Sequence, residues 1–147
     1  MKITMEKWEE KEIEVVVKYP ELDAQVTAIV TKLESLNHYV FGNDNGRVFR
    51  IHIYDIYYIE SVDKKTFIYT KNQVFRSELK LYNLAQELEP YEFIQVSKSC
   101  ILNLNVLESV ESLYNSKMQA TLENREKITI SRTYLQAIKS ALRKEGK

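Results

Sequence analysis

The residues with the clearest capacity for chemistry are Ser97, Lys98 and Ser99, which lie between two short, mainly apolar runs at residues 93–96 and 100–102. A buried strand disfavours an unpaired ammonium, because burying a charge without a partner costs several kcal/mol. We therefore expect the apolar runs to anchor in the core and residues 97–99 to lie at the surface. Two hydroxyls and an ammonium suit a phosphate or the edge of a base. The alternative is an ordinary polar turn between two strands.

Two further segments have the same composition, an apolar strand pattern that ends in hydroxyl or cationic residues. One ends in Lys64, Lys65 and Thr66, and the other ends in Arg132, Thr133 and Tyr134. If the fold brings these strand ends together, their cations form one rim that can neutralise phosphates, and an arginine can also bind guanine. The alternative is that these charges are scattered and simply solvated.

Signals for catalysis or metal binding are weak. Three glycines in 147 residues nearly exclude a glycine-rich phosphate loop, and neither a P-loop nor a dinucleotide-binding pattern is present. Cys100 is the only cysteine, and its apolar flanks favour a buried thiol over a reactive one. His38 and His52 fall in strand patterns rather than in a metal-ligand spacing. We therefore expect neither an enzyme nor a cofactor.

Composition indicates one soluble globular domain, with 44% hydrophobic and 29% charged residues. The formal net charge is zero, but the charges are unevenly distributed. Residues 1–60 carry 7 Lys and Arg against 11 Asp and Glu, whereas residues 61–147 carry 14 against 10. The C-terminal part therefore has the charge balance that suits a polyanion. The sequence shows no apolar run of membrane-spanning length and no signal peptide, and this predicts a cytoplasmic protein.

The N-terminal region predicts a strand followed by a helix. Residues 12–18 alternate apolar and polar side chains, which is typical of a strand. Pro20 is expected to open a helix, whose apolar stripe comprises Leu22, Val26, Ile29, Val30, Leu33 and Leu36. This stripe is expected to pack on the chain's own sheet, and a dimer contact is the alternative.

The remainder predicts short antiparallel strands with few helices. Hairpins are expected at residues 38–53, around the Asn-Gly turn at residues 45–46, and at residues 66–76. A strand at residues 56–61, a short helix at residues 80–89 ended by Pro90, and three strands within residues 106–130 complete the pattern. Ser131 is expected to cap a final helix over residues 132–144.

The order of these pieces resembles the LytTR family of bacterial DNA-binding domains. The resemblance covers about residues 45–143 and is carried by Ile59, Glu60 and Ser61, then by Leu79, Leu84 and Leu88, then by Phe93, Ile94, Val96, Ser97, Lys98, Ser99, Ile101 and Asn103, and finally by Leu122, Ile128, Ile130, Ser131, Arg132 and Tyr134. It divides the chain into an N-terminal strand and helix extension, residues 1–44, and a LytTR-like DNA-binding domain, residues 45–147.

The resemblance implies a mainly β (α+β) fold, an elongated antiparallel β-sandwich in three sheets with a short central helix, plus the N-terminal strand and helix and a C-terminal helix. It also implies binding to successive major grooves of double-stranded DNA, with bending of the DNA. Binding is expected as a homodimer on paired direct repeats. The three reading loops fall on residues 64–66, 97–99 and 132–134.

The expected function is that of a sequence-specific transcription regulator without catalysis. A regulatory membrane protein is a further partner implied for stand-alone relatives of this kind. The alternatives are a protein-interaction or ligand-sensing module and, less strongly supported, an RNA-binding β domain.

Three departures from the family pattern stand out. Gln95 occupies a position where many members carry arginine, and Asn124-Arg125 replaces a frequent Asn-Gly turn. Residues 1–44 are too short to form a receiver domain, so control by phosphorylation is not expected from them.

Overall fold

The protein is described here by a computed structural model that covers residues 1–114 and 117–145, so the turn predicted at residues 115 and 116 lies outside the described residues. The helices are α1 (Ala24–Ser35), α2 (Leu81–Leu88) and α3 (Leu135–Glu145). The strands are β1 (Tyr39–Asp44), β2 (Arg47–His52), β3 (Ile56–Val62), β4 (Lys65–Thr70), β5 (Val74–Ser77), β6 (Phe93–Ser97), β7 (Cys100–Asn103), β8 (Leu107–Ser112), β9 (Met118–Leu122) and β10 (Lys127–Ile130). No helix among these residues is long and apolar enough to cross a membrane.

The strands form two antiparallel sheets, which confirms the mainly antiparallel β prediction. Seven strands pair in the order β2-β1-β5-β4-β3-β7-β6, and β10-β9-β8 form the smaller sheet. The family resemblance implied three sheets. The difference comes from one residue pair, because Asn43 of β1 and Arg76 of β5 form the single bridge that joins the β1–β2 hairpin to the other five strands.

Left-handed residues set the register of two hairpins. Asn45 and Gly46, with φ of 51° and 82°, connect β1 to β2 as the Asn-Gly signal predicts. Asp63 and Lys64, with φ of 50° and 64°, connect β3 to β4 in the same way. Two consecutive residues with positive φ make a turn whose twist matches that of the flanking strands. The two residues of each turn therefore fix the register in which the strands of that hairpin pair.

Helix α2 packs on the large sheet and builds the first core. Leu81, Leu84 and Leu88 are its buried residues, and they lie in one cluster with strand residues such as Ile59. The helix ends before Pro90, as predicted, and a 3-10 turn (Glu89–Tyr91) follows.

Gly42 of β1 permits a close approach within this core. A Cβ at Gly42 would lie 2.6 Å from both Ile51 Cδ1 and Phe75 Cβ. Real Cβ atoms do not approach other carbon atoms this closely, so β1 and its neighbours can pack here only around a residue without a side chain.

A second core joins the two sheets and α3. Val96 and Leu102 of the large sheet, Leu122 of the small sheet and Ile138 of α3 are all fully buried in one cluster. Ile130 belongs to the same cluster and is 1% exposed. The small sheet and the C-terminal helix are therefore held against the β6–β7 hairpin by apolar contact.

Asn103 is a buried polar residue that connects distant parts of the chain. Its amide nitrogen donates to the Ile56 carbonyl at 2.8 Å, and its side-chain oxygen accepts from the Asn105 backbone N–H at 3.0 Å. Asn103 is 0% exposed, so these bonds satisfy groups that water cannot reach. The side chain thus links the end of β7 to the start of β3.

The N-terminal region differs from its prediction. Residues 12–18 form no strand, and Ile13, Val15 and Val16 are exposed by 88%, 60% and 67%. A segment with an alternating pattern forms a strand only where a partner strand supplies hydrogen bonds. Residues 12–18 have no partner strand in the described chain.

Helix α1 begins later than Pro20, because Asp23 is the N-cap residue and its Oδ1 accepts from Val26 N–H at 2.9 Å. Its apolar stripe packs only in part. Val26 is buried and Ile29 and Leu33 are half-buried, whereas Leu22 and Leu36 are exposed.

We predict that Leu102→Ala lowers the free energy of unfolding by about 2–5 kcal/mol, because Leu102 is fully buried between the sheets. Leu36→Ala is the matched control, since Leu36 is 52% exposed and its truncation is expected to cost less than about 1 kcal/mol. Urea denaturation of both variants measures the difference. An unchanged midpoint for Leu102→Ala would contradict the second core.

We also predict that Asn103→Ala costs about 2–4 kcal/mol, because the Ile56 carbonyl would lose its partner in a buried site and the part-buried Asn105 N–H would lose its acceptor. Asn72→Ala, at an exposed turn position, provides the control and is expected to cost less than about 0.5 kcal/mol. Equal losses in the two variants would show that Asn103 has no special structural role.

Candidate nucleic-acid interface

The β3–β4 turn carries the first pair of predicted cations. Lys64 is the second left-handed residue of this turn, and Lys65 is the first residue of β4. Both lysines are exposed. Their ammonium groups therefore extend from a turn whose backbone is fixed by strand pairing on both sides.

The β6–β7 turn carries Lys98 at its tip. Ser97 and Cys100 are the last paired residues, so Lys98 and Ser99 form the connection, and both are exposed. Ser97 Oγ accepts from the Ser99 N–H at 3.2 Å, and the Gln95 amide donates to the Lys98 carbonyl at 3.4 Å. Gln95, the position where the family pattern often has arginine, therefore contacts this turn.

The third predicted segment is a 3-10 turn (Arg132–Tyr134) that leads directly into α3. The prediction that Ser131 caps a helix beginning at residue 132 is wrong, because Ser131 precedes the 3-10 turn, its side chain makes no capping hydrogen bond, and α3 begins only at Leu135. Arg132 and Thr133 are exposed, and Tyr134 is half-buried. Ile130 before the turn and Ile138 after it are buried, so the polar residues are anchored at both ends.

Two backbone hydrogen bonds connect the three segments. The Ser61 N–H at the end of β3 donates to the Ser99 carbonyl at 2.8 Å, and the Ser131 N–H donates to the Val96 carbonyl at 2.9 Å. The β6–β7 hairpin thus lies between the other two segments and is bonded to each. We refer to residues 63–65, 98–99 and 132–133 as the three cationic turns.

Thr66 does not belong to this surface. It is the second residue of β4, it is 5% exposed, and it lies opposite Ser61 and Ser77 in the sheet. The prediction that Thr66 belongs to the first reading loop is wrong. The turn comprises only residues 63 and 64, so Thr66 lies within β4 and its side chain is buried. Ser97 is half-buried, with its hydroxyl engaged by Ser99.

An open acidic cleft of about 440 Å³ lies beside the β6–β7 turn. Its lining includes Tyr58, Glu60, Cys100 and Glu126. The Tyr58 hydroxyl donates to Glu126 Oε2 at 2.7 Å, and burial together with this bond raises the pKa of Tyr58. Burial, with a smaller contribution from Glu60, raises the pKa of the Cys100 thiol to about 12. The cleft therefore holds a neutral thiol, two carboxylates that repel phosphate and one ammonium group, that of Lys127, which attracts it.

Sequence reasoning missed the contact between Tyr58 and Glu126, whose positions are 68 residues apart. Glu126 belongs to the β9–β10 turn, in which Arg125 has φ of 75°. This is the left-handed conformation that glycine adopts most easily, and here an arginine occupies it. Arg125 also pairs with Glu108 at 2.8 Å.

Metal chemistry receives no support from side-chain clustering. Across the described ranges, no group of three or more His, Cys, Asp or Glu residues is placed to hold a metal ion.

Comparison with known proteins identifies the family. The sequence profile of the LytTr DNA-binding domain matches residues 46–143. An uncharacterized HTH-type transcriptional regulator of Staphylococcus aureus strain bovine RF122 / ET3-1 is 30% identical over 125 residues, which are 84% of this chain and 84% of that protein. A protein of the same description from Staphylococcus aureus strain NCTC 8325 / PS 47 is 29% identical over the same share of both chains.

A solved structure has the same fold. The LytTr DNA-binding domain of a Bacillus cereus protein superposes with a TM-score of 0.67 at 20% identity, covering 71% of this chain and 95% of that domain.

The order of helices and strands can also be compared with the helix-turn-helix motif that the descriptions of the relatives name. That motif requires two successive helices joined by a short turn, whereas strands separate α1 from α2 and α2 from α3 in the described residues. The profile match and the shared fold together show that this chain belongs to the LytTr DNA-binding domain family.

Proposed function

We propose that this protein is a sequence-specific, double-stranded DNA-binding transcription regulator that contacts the duplex through the three cationic turns. The observation that carries the proposal is the pair of backbone hydrogen bonds that fixes these turns side by side. Family membership supports DNA as the ligand.

Lys98 is best placed to read bases. It lies at the tip of a two-stranded ribbon, and the major groove of B-DNA is wide enough to admit such a ribbon. The bond from Ser61 and the bond from Ser131 hold this ribbon on both sides. A restrained tip loses little conformational freedom on binding, which favours specific contacts over a diffuse ionic attraction.

Lys64, Lys65 and Arg132 flank this tip and suit phosphates. Phosphate contacts position a protein on the duplex, whereas base-edge contacts specify the sequence. Arg132 can instead form two hydrogen bonds with guanine if its turn enters the adjacent groove. The acidic cleft beside Ser99 repels phosphates, so the DNA is expected to follow the exposed turns and not to enter the cleft.

The regulator is proposed to act in the cytoplasm as a homodimer on paired direct repeats, without catalysis of its own. A regulatory membrane protein as partner is a further element of this proposal. If the protein bound duplex DNA without sequence preference, the proposed DNA interface would stand, but the proposed role as a sequence-specific regulator would not. A protein-interaction or ligand-sensing module is the outcome if no duplex binds.

We predict a steep salt dependence. If Lys64, Lys65, Lys98 and Arg132 each neutralise one phosphate, log K should fall with log salt at a slope of about −3.6 for each bound chain. Fluorescence anisotropy of a labelled mixed-sequence duplex over a salt series measures this slope. A flat response, or the absence of binding at low salt, would exclude DNA as the ligand of the three turns.

We predict that Lys98→Ala weakens binding to the preferred site, obtained by selection from random duplexes, by about 1–3 kcal/mol and relaxes base preference at one position. Lys32→Ala is the matched control. Lys32 is an exposed lysine of α1, and α1 contacts the 3-10 turn that precedes β6. Lys98 follows the C-terminal end of β6, so the two lysines lie toward opposite ends of that strand.

A uniform loss for Lys98→Ala on every sequence would assign Lys98 to phosphate. Equal behaviour of Lys98→Ala and Lys32→Ala would remove Lys98 from the interface.

A further inference from the structure

Residues 12–18, here called the N-terminal arm, combine a strand pattern with an unpartnered position. Ile13, Val15 and Val17 alternate with Glu12, Glu14, Val16 and Lys18. All but half-buried Val17 are exposed, and the arm belongs to neither sheet. An alternating apolar segment left in water is a segment from which a partner strand is missing.

The outer edge of β2 is the complementary feature. β2 is the terminal strand of the seven-stranded sheet and pairs only with β1. Among the described residues, no strand or backbone hydrogen bond covers its other edge. Val48 of this strand is 68% exposed, and Arg47 and Arg50 are exposed beside it. An uncovered edge with exposed apolar side chains is a template for an added strand.

The opposite edge of the sheet is less open. β6 is the other terminal strand, but the Ser131 N–H donates to the Val96 carbonyl there at 2.9 Å. The segment that leads into α3 therefore occupies part of that edge. Of the two edges, β2 is the one that can accept a whole strand.

One antiparallel register matches the arm to β2 in side-chain character and in charge. Placing Glu14 opposite Arg50 also places Ile13 opposite Ile51, Val15 opposite Phe49, Val16 opposite Val48 and Glu12 opposite His52. Directly opposite residues share a face of the sheet, so Ile13 and Val15 would join the core face with Ile51 and Phe49. Every apolar residue in these five pairs meets another, and each glutamate meets a basic residue; the sixth pair sets Val17 against Arg47 at the end of β2.

Neighbouring registers lose this match. A shift by two residues in one direction sets Glu14 against Val48 and Val15 against Arg47. A shift by two in the other direction sets Val16 against Arg50 and Lys18 against Val48. Shifts by one residue would turn the wrong face of the arm to the core.

We propose that the N-terminal arm of one copy adds to β2 of a second copy, and that the exchange is reciprocal, giving a two-fold symmetric dimer. The second copy is the occupant because the arm carries acidic residues for the arginines of β2 and because the arm pairs with no strand of its own chain, β2 included, among the described residues. In a reciprocal exchange, each of the two arms pairs with the β2 edge of the other copy, so no arm and no β2 edge remains unpaired. This is the property of a closed isologous interface.

The dimer leaves the three cationic turns free. In the seven-stranded sheet three strand spacings of about 4.8 Å separate β2 from β4, which follows the first cationic turn, and six separate β2 from β6, roughly 14 Å and 29 Å. The two-fold dimer is proposed for the protein free in solution, whereas the paired direct repeats concern the DNA-bound protein, since two-fold symmetry by itself matches inverted half-sites. The inference therefore does not depend on the proposed DNA contacts.

Charge reversal tests this pairing without touching the core, since Glu14 and Arg50 are both exposed. The full chain is studied by sedimentation equilibrium over a concentration series, with circular dichroism to show that each variant is folded. We expect the unmodified chain to dimerise, and Glu14→Arg or Arg50→Glu to weaken dimerisation by roughly tenfold or more, because each change acts twice in the symmetric dimer. Glu10→Arg, in the same region but outside the register, is the control and should dimerise normally.

Mixing the two single variants identifies the contact as intermolecular. In the mixed pair, the arginine introduced at position 14 of one chain lies opposite the glutamate introduced at position 50 of the other chain. At the second contact the two unchanged residues, Glu14 and Arg50, meet as they do in the unmodified dimer. The equimolar mixture should therefore form heterodimers about as tightly as the unmodified homodimer, and so should the chain carrying both changes.

The proposal is overturned if the unmodified chain stays monomeric, if both reversals leave dimerisation unchanged, or if the mixture fails to recover. Recovery in the doubly changed chain alone, with a monomeric product, would place the arm on its own β2 and would likewise overturn exchange. DNA binding measured on a single half-site should be the same for all these variants, so failure here is separate from failure of the proposed function.

Discussion

The arrangement of the site depends on the β6–β7 hairpin being hydrogen-bonded on both sides of its turn. β3 donates from Ser61 to the Ser99 carbonyl, and the segment after β10 donates from Ser131 to the Val96 carbonyl. Below the turn, Val96 and Leu102 are fully buried, so the hairpin cannot slide without exposing both. A polar tip on a fixed apolar base is thus a consequence of packing, and the neighbouring turns take their positions from it.

Charge is distributed to match this geometry. Cations occupy the exposed turns, whereas Glu60 and Glu126 lie in the cleft beside them. The carboxylate of Glu126 is held by Tyr58, and Asn124 donates to it as well, at 2.9 Å. The three turns therefore carry four cations and one carboxylate, that of Asp63, beside a cleft with two carboxylates and the ammonium group of Lys127. A formal net charge of zero conceals this separation.

Features with local causes were predictable from sequence, and features with distant causes were not. The Asn45-Gly46 hairpin and the end of α2 before Pro90 follow from backbone preferences within a few residues. The role of Asn103 depends on Ile56, 47 positions away, and no local pattern reveals it. The strand expected at residues 12–18 failed because alternation states which side chains can share a face but does not supply a partner. Thr66 was misplaced for a local reason, a turn tighter than expected.

The central claim is that the three cationic turns bind DNA together, and backbone amide NMR during titration with a mixed-sequence duplex tests it most directly. The account predicts that amides of residues 64–65, 98–99 and 132–133 shift along one binding curve, while those of α1 stay unchanged. Shifts confined to one turn, or centred on another surface such as the β1–β2 hairpin, would contradict it.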